Sequence, residues 1–125
     1  MFRPILFFLL LSFSLAFTSD KPSVVNWLTE TEHDFGLVQH KKPVTFSFQF
    51  RNVSEETITI DNVRTSCGCA APDWSFEPFA PDSIGQINVR YDAKKQGYFR
   101  KRIKVYVSGQ RKAEVLYVEG EVVRE

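Results

Sequence analysis

The chain has 125 residues, of which 14% are aromatic and 25% are charged, and its 16 basic side chains nearly balance 15 acidic ones. This length suits one ordinary domain, and the aromatic content is typical of a chain with a packed core and excludes a disordered one. Because phosphate binding needs an excess of Lys and Arg on one face, the charge balance argues against a nucleic acid partner.

The first residues predict export. Arg3 is followed by an almost unbroken apolar run from Ile5 to Phe17, which has the outline of a signal peptide. The run is too short for a permanent membrane helix, which needs roughly 20 apolar residues. Small residues at Ser14 and Ala16 fit a cleavage site. We therefore expect cleavage after Ala16 and no membrane span in the mature protein.

This interpretation divides the chain into three parts, which are a signal peptide at 1–16, a short linker at 17–23 and a β-sandwich domain at 24–125. Cleavage removes Arg3, so the mature chain carries equal numbers of basic and acidic side chains. We expect an exported protein, periplasmic or extracellular.

Beyond the linker, the sequence breaks into short runs of β type separated by turn residues. These runs are Val24–Leu28, Phe35–Val38, Val44–Asn52, Thr57–Val63, Gln86–Tyr91, Phe99–Val107 and Ala113–Val123. In the clearest of them, Val44–Asn52, bulky residues at every second position place four apolar side chains on one face. Seven such runs without sustained helical spacing predict an all-β protein, an immunoglobulin-like two-sheet β-sandwich of about seven strands.

Two details of the pattern predict local structure. Val44–Asn52 and Thr57–Val63 are separated by a short turn and are expected to pair as a hairpin. Lys101 interrupts the apolar face of Phe99–Val107, so we expect a bulge there or a strand that begins just after it.

The inventory of catalytic residues is poor. His33 and His40 are the only histidines, and neither belongs to a metalloprotease helix motif or lies beside a nucleophile-elbow motif. His33 precedes Asp34-Phe35-Gly36, which predicts a turn before the second strand, where a histidine is more often structural than catalytic. We therefore predict that the protein is not an enzyme.

The one concentrated signal is Cys67-Gly68-Cys69, which holds both cysteines of the chain. Three interpretations stay open. The pair forms a local disulfide or two inert thiols that shape a loop, or it takes part in thiol–disulfide exchange, or it binds copper or zinc with His33 as the candidate third ligand. No other cofactor is expected.

Geometry and entropy bear on the first interpretation. In an extended strand the Cα atoms of Cys67 and Cys69 would lie about 7 Å apart, so a disulfide requires the backbone to bend at Gly68. A bridge across about three residues would add only roughly 1.6 kcal/mol to stability. Stability alone therefore explains such a disulfide poorly.

Two further groups of residues lie downstream. Basic side chains crowd the last two strands, where they are expected to protect an edge strand or, as the alternative, to bind an acidic polymer or protein; they are Lys94, Lys95, Arg100, Lys101, Arg102, Lys104, Arg111 and Lys112. The aromatic residues Trp74, Phe76 and Phe79 follow the cysteines. Aromatic side chains in such a loop usually fix it to the core, whereas an exposed group would mark a partner surface.

These motifs together resemble a bacterial family known as domain of unknown function 1573. The likeness lies in His33–Gly36, Phe46–Asn52, Thr65–Cys69 with Pro72 and Trp74, Pro81–Ser83, Ile87–Tyr91, Gly97 and Val118–Val122. It spans nearly all of the predicted domain, and it departs from the family at Pro81-Asp82, where Pro-Gly is usual. The resemblance implies an immunoglobulin-like fold in an exported cell-envelope protein, and it implies no established activity.

The leading prediction is a noncatalytic binding or scaffolding module of the cell envelope, whose partner is an envelope protein or a second copy of the chain. The alternative is a metal-binding or thiol-redox accessory protein that acts through Cys67 and Cys69.

Overall fold

The computed structural model of the protein describes residues 22–124. The predicted signal peptide at 1–16 and most of the predicted linker at 17–23 lie outside these residues. The described part contains eight strands, which are β1 (Val25–Trp27), β2 (Glu32–Gln39), β3 (Val44–Asn52), β4 (Ile60–Thr65), β5 (Ala70–Trp74), β6 (Ile84–Tyr91), β7 (Gly97–Val107) and β8 (Glu114–Val123). Within residues 22–124, no helix is long and apolar enough to cross a membrane.

The eight strands form two sheets of four. Sheet A has the order β1-β3-β6-β5, and sheet B has the order β2-β8-β7-β4. Neighbouring strands are antiparallel except β2, which runs parallel to β8. This order corresponds to the two sheets of an immunoglobulin constant-type domain, with β2 added beside the last strand. The predicted fold class is confirmed, with eight strands in place of about seven.

The inward faces of the strands form the core. Every second residue of β3 points inward, and Phe48 and Phe50 are fully buried. Strands β6 and β8 alternate in the same way, as their sequences predict. Aromatic rings also join the two sheets, because Tyr91 of β6 stacks on Phe99 of β7 with ring centroids 3.7 Å apart. Such burial is the main favourable contribution to folding.

The predicted hairpin is wrong, because its two strands lie in different sheets. Strand β3 pairs with β1 and β6, whereas β4 pairs with β7. Alternation of apolar and polar residues fixes which face of a strand is buried, but it does not determine the neighbouring strand. Here the connection after β3 crosses to the other sheet, and its Ile58 forms a single bridge to Phe79.

The interruption predicted at Lys101 is also wrong. Strand β7 runs from Gly97 to Val107, and its pairing with β8 continues without a shift through Lys101 and Val118. The lysine is half-buried, which its long aliphatic stem permits while the ammonium group reaches solvent. Since β7 lies between β8 and β4, it is not an edge strand. The basic residues of β7 therefore do not protect an edge.

The strand that the sequence did not indicate is β5, at the edge of sheet A. The Asp92 N–H donates to the Cys69 carbonyl at 2.9 Å. In an antiparallel pair, only every second residue directs its N–H and C=O to the neighbouring strand. Counting from Cys69, the backbone groups of Pro72 therefore point away from β6, towards the open edge. Proline has no N–H to offer at such a position, so it protects this edge from a further strand. Proline within a run normally argues against a strand, which is why β5 was missed.

The turn predicted at His33–Gly36 is a bulge inside β2. The register with β8 shifts between Asp34 and Leu37, and Gly36 adopts a left-handed φ of 68°. The Asp34 carboxylate accepts a hydrogen bond from the Gly36 N–H at 2.7 Å. Residue 120 must also be small, because a Cβ on Gly120 would lie 2.9 Å from the Gly36 carbonyl oxygen.

Apart from 28–31, which joins the edge strands β1 and β2, the connections lie at the two ends of the sandwich, and we name each end for its characteristic residue. The cysteine end consists of the connections 40–43, 66–69 and 92–96. The asparagine end consists of the connections 53–59, 75–83 and 108–113 around buried Asn52.

Candidate functional site

The two cysteines meet at the cysteine end, in the connection between β4 and β5. Cys67 and Cys69 form a disulfide, and their Cα atoms lie 5.4 Å apart. This bridge is compatible with both the structural and the exchange interpretations of the pair. The bend at Gly68 exists as expected, yet Gly68 is not among the residues with a positive φ, and a Cβ built there meets nothing within 4 Å. The turn therefore does not require glycine.

Hydrogen bonds hold this connection on both sides. The Thr65 hydroxyl lies 2.9 Å from the Cys67 carbonyl and 3.1 Å from the Ala70 carbonyl, and Asp92 donates to the Cys69 carbonyl. The Cys69 side chain packs against the core, whereas Gly68 is exposed. One sulfur atom is thus anchored to the core beside an open turn.

The disulfide also has an internal polar contact. The backbone N–H of Cys69 donates to the Cys67 sulfur at 3.2 Å. An N–H donor at this position favours negative charge on the sulfur that accepts it. The two sulfur atoms of the pair are therefore not equivalent.

His33 lies far from the cysteines. It belongs to β2, whereas the disulfide follows β4, and these strands are the opposite edges of sheet B. Three strand spacings separate them, which amounts to about 14 Å. The ring stacks on Phe46 with centroids 3.7 Å apart, and its Nδ1 lies 2.6 Å from the Glu30 carboxylate.

The structure therefore brings Cys67 and Cys69 together and does not bring His33 to them. In the described range 22–124, no group of three or more His, Cys, Asp or Glu side chains is arranged to hold a metal ion. His33 instead closes the side of the sandwich between β2 and β3 by stacking.

A cleft opens at the cysteine end. Its lining contains three cationic side chains and one carboxylate, contributed by Lys41, Arg90, Lys94 and Asp92, together with Pro43. The cleft and the disulfide share Asp92, whose backbone N–H bonds to Cys69 and whose carboxylate accepts the Lys94 N–H at 3.1 Å. The lining of the cleft is thus net positive.

His40 also lies at this end. Its Nε2 is 2.9 Å from the Lys94 carbonyl, and the neighbouring Lys41 N–H donates to Ala93 at 2.8 Å. These contacts tie the connection 40–43 to the connection 92–96. His40 thus supports the loops around the cleft.

The outer face of sheet B carries a second candidate surface, which the sequence analysis missed. Its tyrosines and arginines pack together, with the Arg100 guanidinium 4.1 Å from the Tyr117 ring centroid and Arg64 5.8 Å from that of Tyr106. Tyr98 is 68% exposed on the same face. The available signal was the position of each tyrosine in the polar phase of its strand. We call this surface the tyrosine face, formed by Arg64, Tyr98, Arg100, Tyr106, Tyr117 and Glu119.

Charged contacts order the tyrosine face. Arg100 forms salt bridges with Glu32 and Glu119, and the hydrogen bond to Glu32 is the main reason that the pKa of Arg100 is raised. The Tyr98 hydroxyl donates to Glu119 at 2.8 Å, a bond that raises the pKa of Tyr98 above its ordinary value. These side chains are held in place before any partner arrives.

The three aromatic residues after the cysteines divide into two roles. Trp74 and Phe79 pack against the core, which confirms that they fix their connection. Phe76 is 72% exposed and lies against Trp74 with ring centroids 5.2 Å apart. The Trp74 indole nitrogen is buried and has no hydrogen-bond partner among the described residues.

Fold and sites together define a small immunoglobulin-like domain with a half-buried disulfide around exposed Gly68 and an ordered surface of tyrosine and arginine. The chain belongs to the family described as "Protein of unknown function (DUF1573)", whose model matches residues 27–122. No curated protein matches the chain.

Solved structures share the fold at low identity. A protein of unknown function from Porphyromonas gingivalis W83 has a TM-score of 0.68 at 15% identity, covering 79% of this chain and 46% of its own. The Vibrio cholerae VesB protease has a TM-score of 0.66 at 12% identity, covering 79% of this chain and 32% of its own. In both cases the chain spans less than half of the matched protein.

A third similar structure is a single domain. The ASH / PapD-like domain 7 of human CEP192 has a TM-score of 0.64 at 10% identity, covering 85% of this chain and 91% of its own. These likenesses show the fold alone.

Proposed function

We propose that the protein is a noncatalytic binding or scaffolding module, exported to the bacterial cell envelope, that engages another envelope protein or a second copy of itself through the tyrosine face. The observation that carries the proposal is the ordered array of Tyr98, Tyr117 and Arg100 on the outer face of sheet B. Tyrosine and arginine are enriched among the residues that contribute most to protein–protein affinity.

The order of this surface supports binding further. Arg100 is fixed by Glu32 and Glu119 and lies over Tyr117. A side chain that is already ordered loses less conformational entropy when a partner binds. The outer face of sheet A differs, since β3 and β6 present mainly uncharged polar residues there, such as Thr45 and Gln86.

The histidine environments support a noncatalytic role. His33 is held by Glu30 and Phe46, and His40 contacts a backbone carbonyl. General-base catalysis needs a histidine within reach of a nucleophile or substrate. The likeness to a protease concerns the fold and transfers no activity.

Export is proposed from the sequence. The apolar run from Ile5 to Phe17 behind Arg3 has the form of a signal peptide, with Ser14 and Ala16 before the cleavage site. Intact mass of protein recovered from the periplasm tests this proposal. A mature mass that retains residues 1–16 would contradict it.

The binding proposal is tested with the purified mature domain immobilised and exposed to envelope extract. We compare the parent with Tyr98→Ala, Arg100→Ala and, as the matched control on the outer face of sheet A, Gln86→Ala. A partner of the tyrosine face should bind the parent and the control equally well. Its affinity should fall about tenfold with Tyr98→Ala or Arg100→Ala, as for a residue that contributes about 1–2 kcal/mol to binding. Sedimentation of the same variants measures self-association.

Equal recovery of every bound protein by all four domains, without self-association of the parent, contradicts the proposal. Circular dichroism of each variant shows that the sheet signal is kept, so that a loss of binding is not a loss of folding.

The accessory-protein alternative keeps one supporting observation, which is the exposed turn that carries the disulfide. Its metal-binding form stays a prediction for the reduced domain. Titration with copper(I) or zinc should then show one equivalent bound, and Cys67→Ser or Cys69→Ser should each abolish binding. If His33→Ala binds metal like the parent, His33 is not the third ligand.

A further inference from the structure

We propose that Cys67 and Cys69 form a thiol–disulfide exchange site, in which Cys67 is the sulfur that exchanges with an external thiol and Cys69 is the resolving sulfur. The inference concerns the cysteine end, and it does not depend on the tyrosine face. The external reactant is a thiol or disulfide that carries negative charge near its sulfur.

The packing of the two cysteines assigns their roles. An attacking thiolate must approach in line with the bond that breaks, from the side opposite the leaving sulfur. Cys69 packs against the core, and this contact restricts the approach of a thiolate to its sulfur. Cys67 is half-buried but, unlike Cys69, is not among the residues that pack against the core. Attack therefore falls on Cys67.

The hydrogen bond within the turn supports the same assignment for the reduced pair. The Cys69 N–H is 3.2 Å from the Cys67 sulfur, and a donor there stabilises a thiolate on Cys67. The thiolate is the nucleophile in exchange. Cys67 is thus the sulfur that does not pack against the core and the one whose thiolate the turn stabilises in the dithiol.

The charge around the turn selects the reactant. The adjoining cleft presents Lys41, Arg90 and Lys94 against one carboxylate of Asp92. Asp92 is the link between the two, because it lines the cleft and its backbone N–H donates a hydrogen bond to the Cys69 carbonyl. A net positive surface raises the local concentration of anionic reactants, and salt weakens this effect.

Exchange begins when an external thiolate RS⁻ attacks the Cys67 sulfur and forms an RS–S bond. The Cys67–Cys69 bond breaks at the same time, and its electron pair stays on Cys69, which leaves as a thiolate. Attack by the Cys69 thiolate on Cys67 reverses the step and releases RS⁻. A second RS⁻ attacking the sulfur of R in the mixed disulfide instead gives RSSR and a dithiol domain. No further oxidant or reductant is needed.

The turn is also built to close again. Thr65 and Asp92 hold the backbone on both sides of the cysteines through bonds that do not involve sulfur. Reduction removes a bridge between residues only two apart in sequence, so the fold loses little when the disulfide opens. Exchange at this position is therefore compatible with an intact sandwich.

The test compares two single-cysteine variants, Cys69→Ser and Cys67→Ser, with glutathione disulfide as the probe and intact mass as the readout. Cys69→Ser leaves the exchanging sulfur, and we expect it to form the mixed disulfide about tenfold faster than Cys67→Ser. Equal rates, or a faster reaction of Cys67→Ser, overturn the assignment. Failure of the oxidised parent to equilibrate with reduced glutathione overturns the exchange site.

Two controls separate access from charge. In the oxidised domain, Gly68→Val places a branched side chain over the turn and should slow attack by reduced glutathione several-fold, with circular dichroism unchanged. At low salt, Cys69→Ser should react more slowly with cystamine, a cationic disulfide, than with glutathione disulfide. When Lys41→Ala and Lys94→Ala are added to this variant, the rates with the two disulfides should become more similar. No preference for the anionic probe overturns the part of the proposal that concerns charge.

Discussion

The two ends of the sandwich are held by different chemistry. At the asparagine end, Asn52 is fully buried, and its side-chain amide donates to the carbonyls of Glu56 and Phe79 while its oxygen accepts from Ser54. At the cysteine end, a disulfide closes a turn with exposed Gly68, and a cleft at the same end is lined by basic side chains. A buried amide with all its partners fixes one conformation, because each lost bond would leave a polar group unsatisfied in the core.

This difference between the two ends suggests that the asparagine end contributes to the stability of the fold, whereas the cysteine end is open to reaction. The asparagine end buries the Asn52 side chain completely and packs Phe50 against Phe79, with ring centroids 5.2 Å apart. The cysteine end leaves Gly68 exposed and its turn open. Loss of a contact should therefore destabilise the fold at the first end and leave the fold nearly unchanged at the second.

The largest expected effect is that of Asn52→Ala. The substitution removes the donor from two backbone carbonyls and the acceptor from the Ser54 N–H and hydroxyl. We expect the free energy of unfolding to fall by about 3 kcal/mol. Urea unfolding followed by circular dichroism measures this change, with the exposed Asn26→Ala in β1 as the control. A loss no larger than that of the control contradicts the role assigned to the asparagine end.

The same substitution at one glycine from each end sharpens the comparison. A Cβ on Gly85 would lie 2.5 Å from Phe50 and 2.6 Å from Phe79, whereas one on Gly68 meets nothing within 4 Å. Gly85→Ala should therefore cost about 2 kcal/mol through overpacking, and Gly68→Ala should change stability by less than about 0.5 kcal/mol. Thermal unfolding of both variants is the measurement. Similar losses would mean that the turn at Gly68 is constrained in a way its surroundings do not explain.

The sequence predicts the sandwich well because burial leaves a period of two. Phe48, Phe50, Ile87 and Val89 lie inside, as their alternation indicates. Pairing was harder to predict, because the chain crosses to the other sheet after Asn52, where it is held by contacts with residues as distant as Phe79. Such contacts leave no periodic signal in the sequence.

The candidate sites, like the strand pairing, could be predicted from the sequence only in part. The Cys67-Gly68-Cys69 motif marked the cysteine end, but the separation of His33 from it follows from strand order, which alternation does not encode. The tyrosine face was missed because an outward-facing tyrosine resembles any residue of good strand propensity. Only the packing of Arg100 on Tyr117 identifies it.

A smaller effect is expected from removing the disulfide. The double variant Cys67→Ser with Cys69→Ser loses a bridge across about three residues, which limits the cost to roughly 1.6 kcal/mol. The bonds of Thr65 and Asp92 to this turn do not involve sulfur and should survive. Urea unfolding of the double variant beside the oxidised parent measures the difference. A loss as large as that of Asn52→Ala would show that both ends support the fold equally.

The smallest expected effect is a change in the pKa of Tyr98, which lies in sheet B near the cysteine end. The exposed Tyr98 hydroxyl donates to Glu119, and that bond is the first cause of the raised pKa of Tyr98. Ionisation of Tyr98 removes the donated hydrogen and places a negative charge beside the carboxylate, so the neutral form is favoured. Glu119→Gln removes the charge and should lower the pKa of Tyr98 towards its ordinary value. Glu121→Gln is the matched control, because Glu121 pairs with Tyr98 across the strands but is not a cause of the shift. NMR titration of the Tyr98 ring follows both variants, and equal pKa values in Glu119→Gln and the parent would contradict the contact.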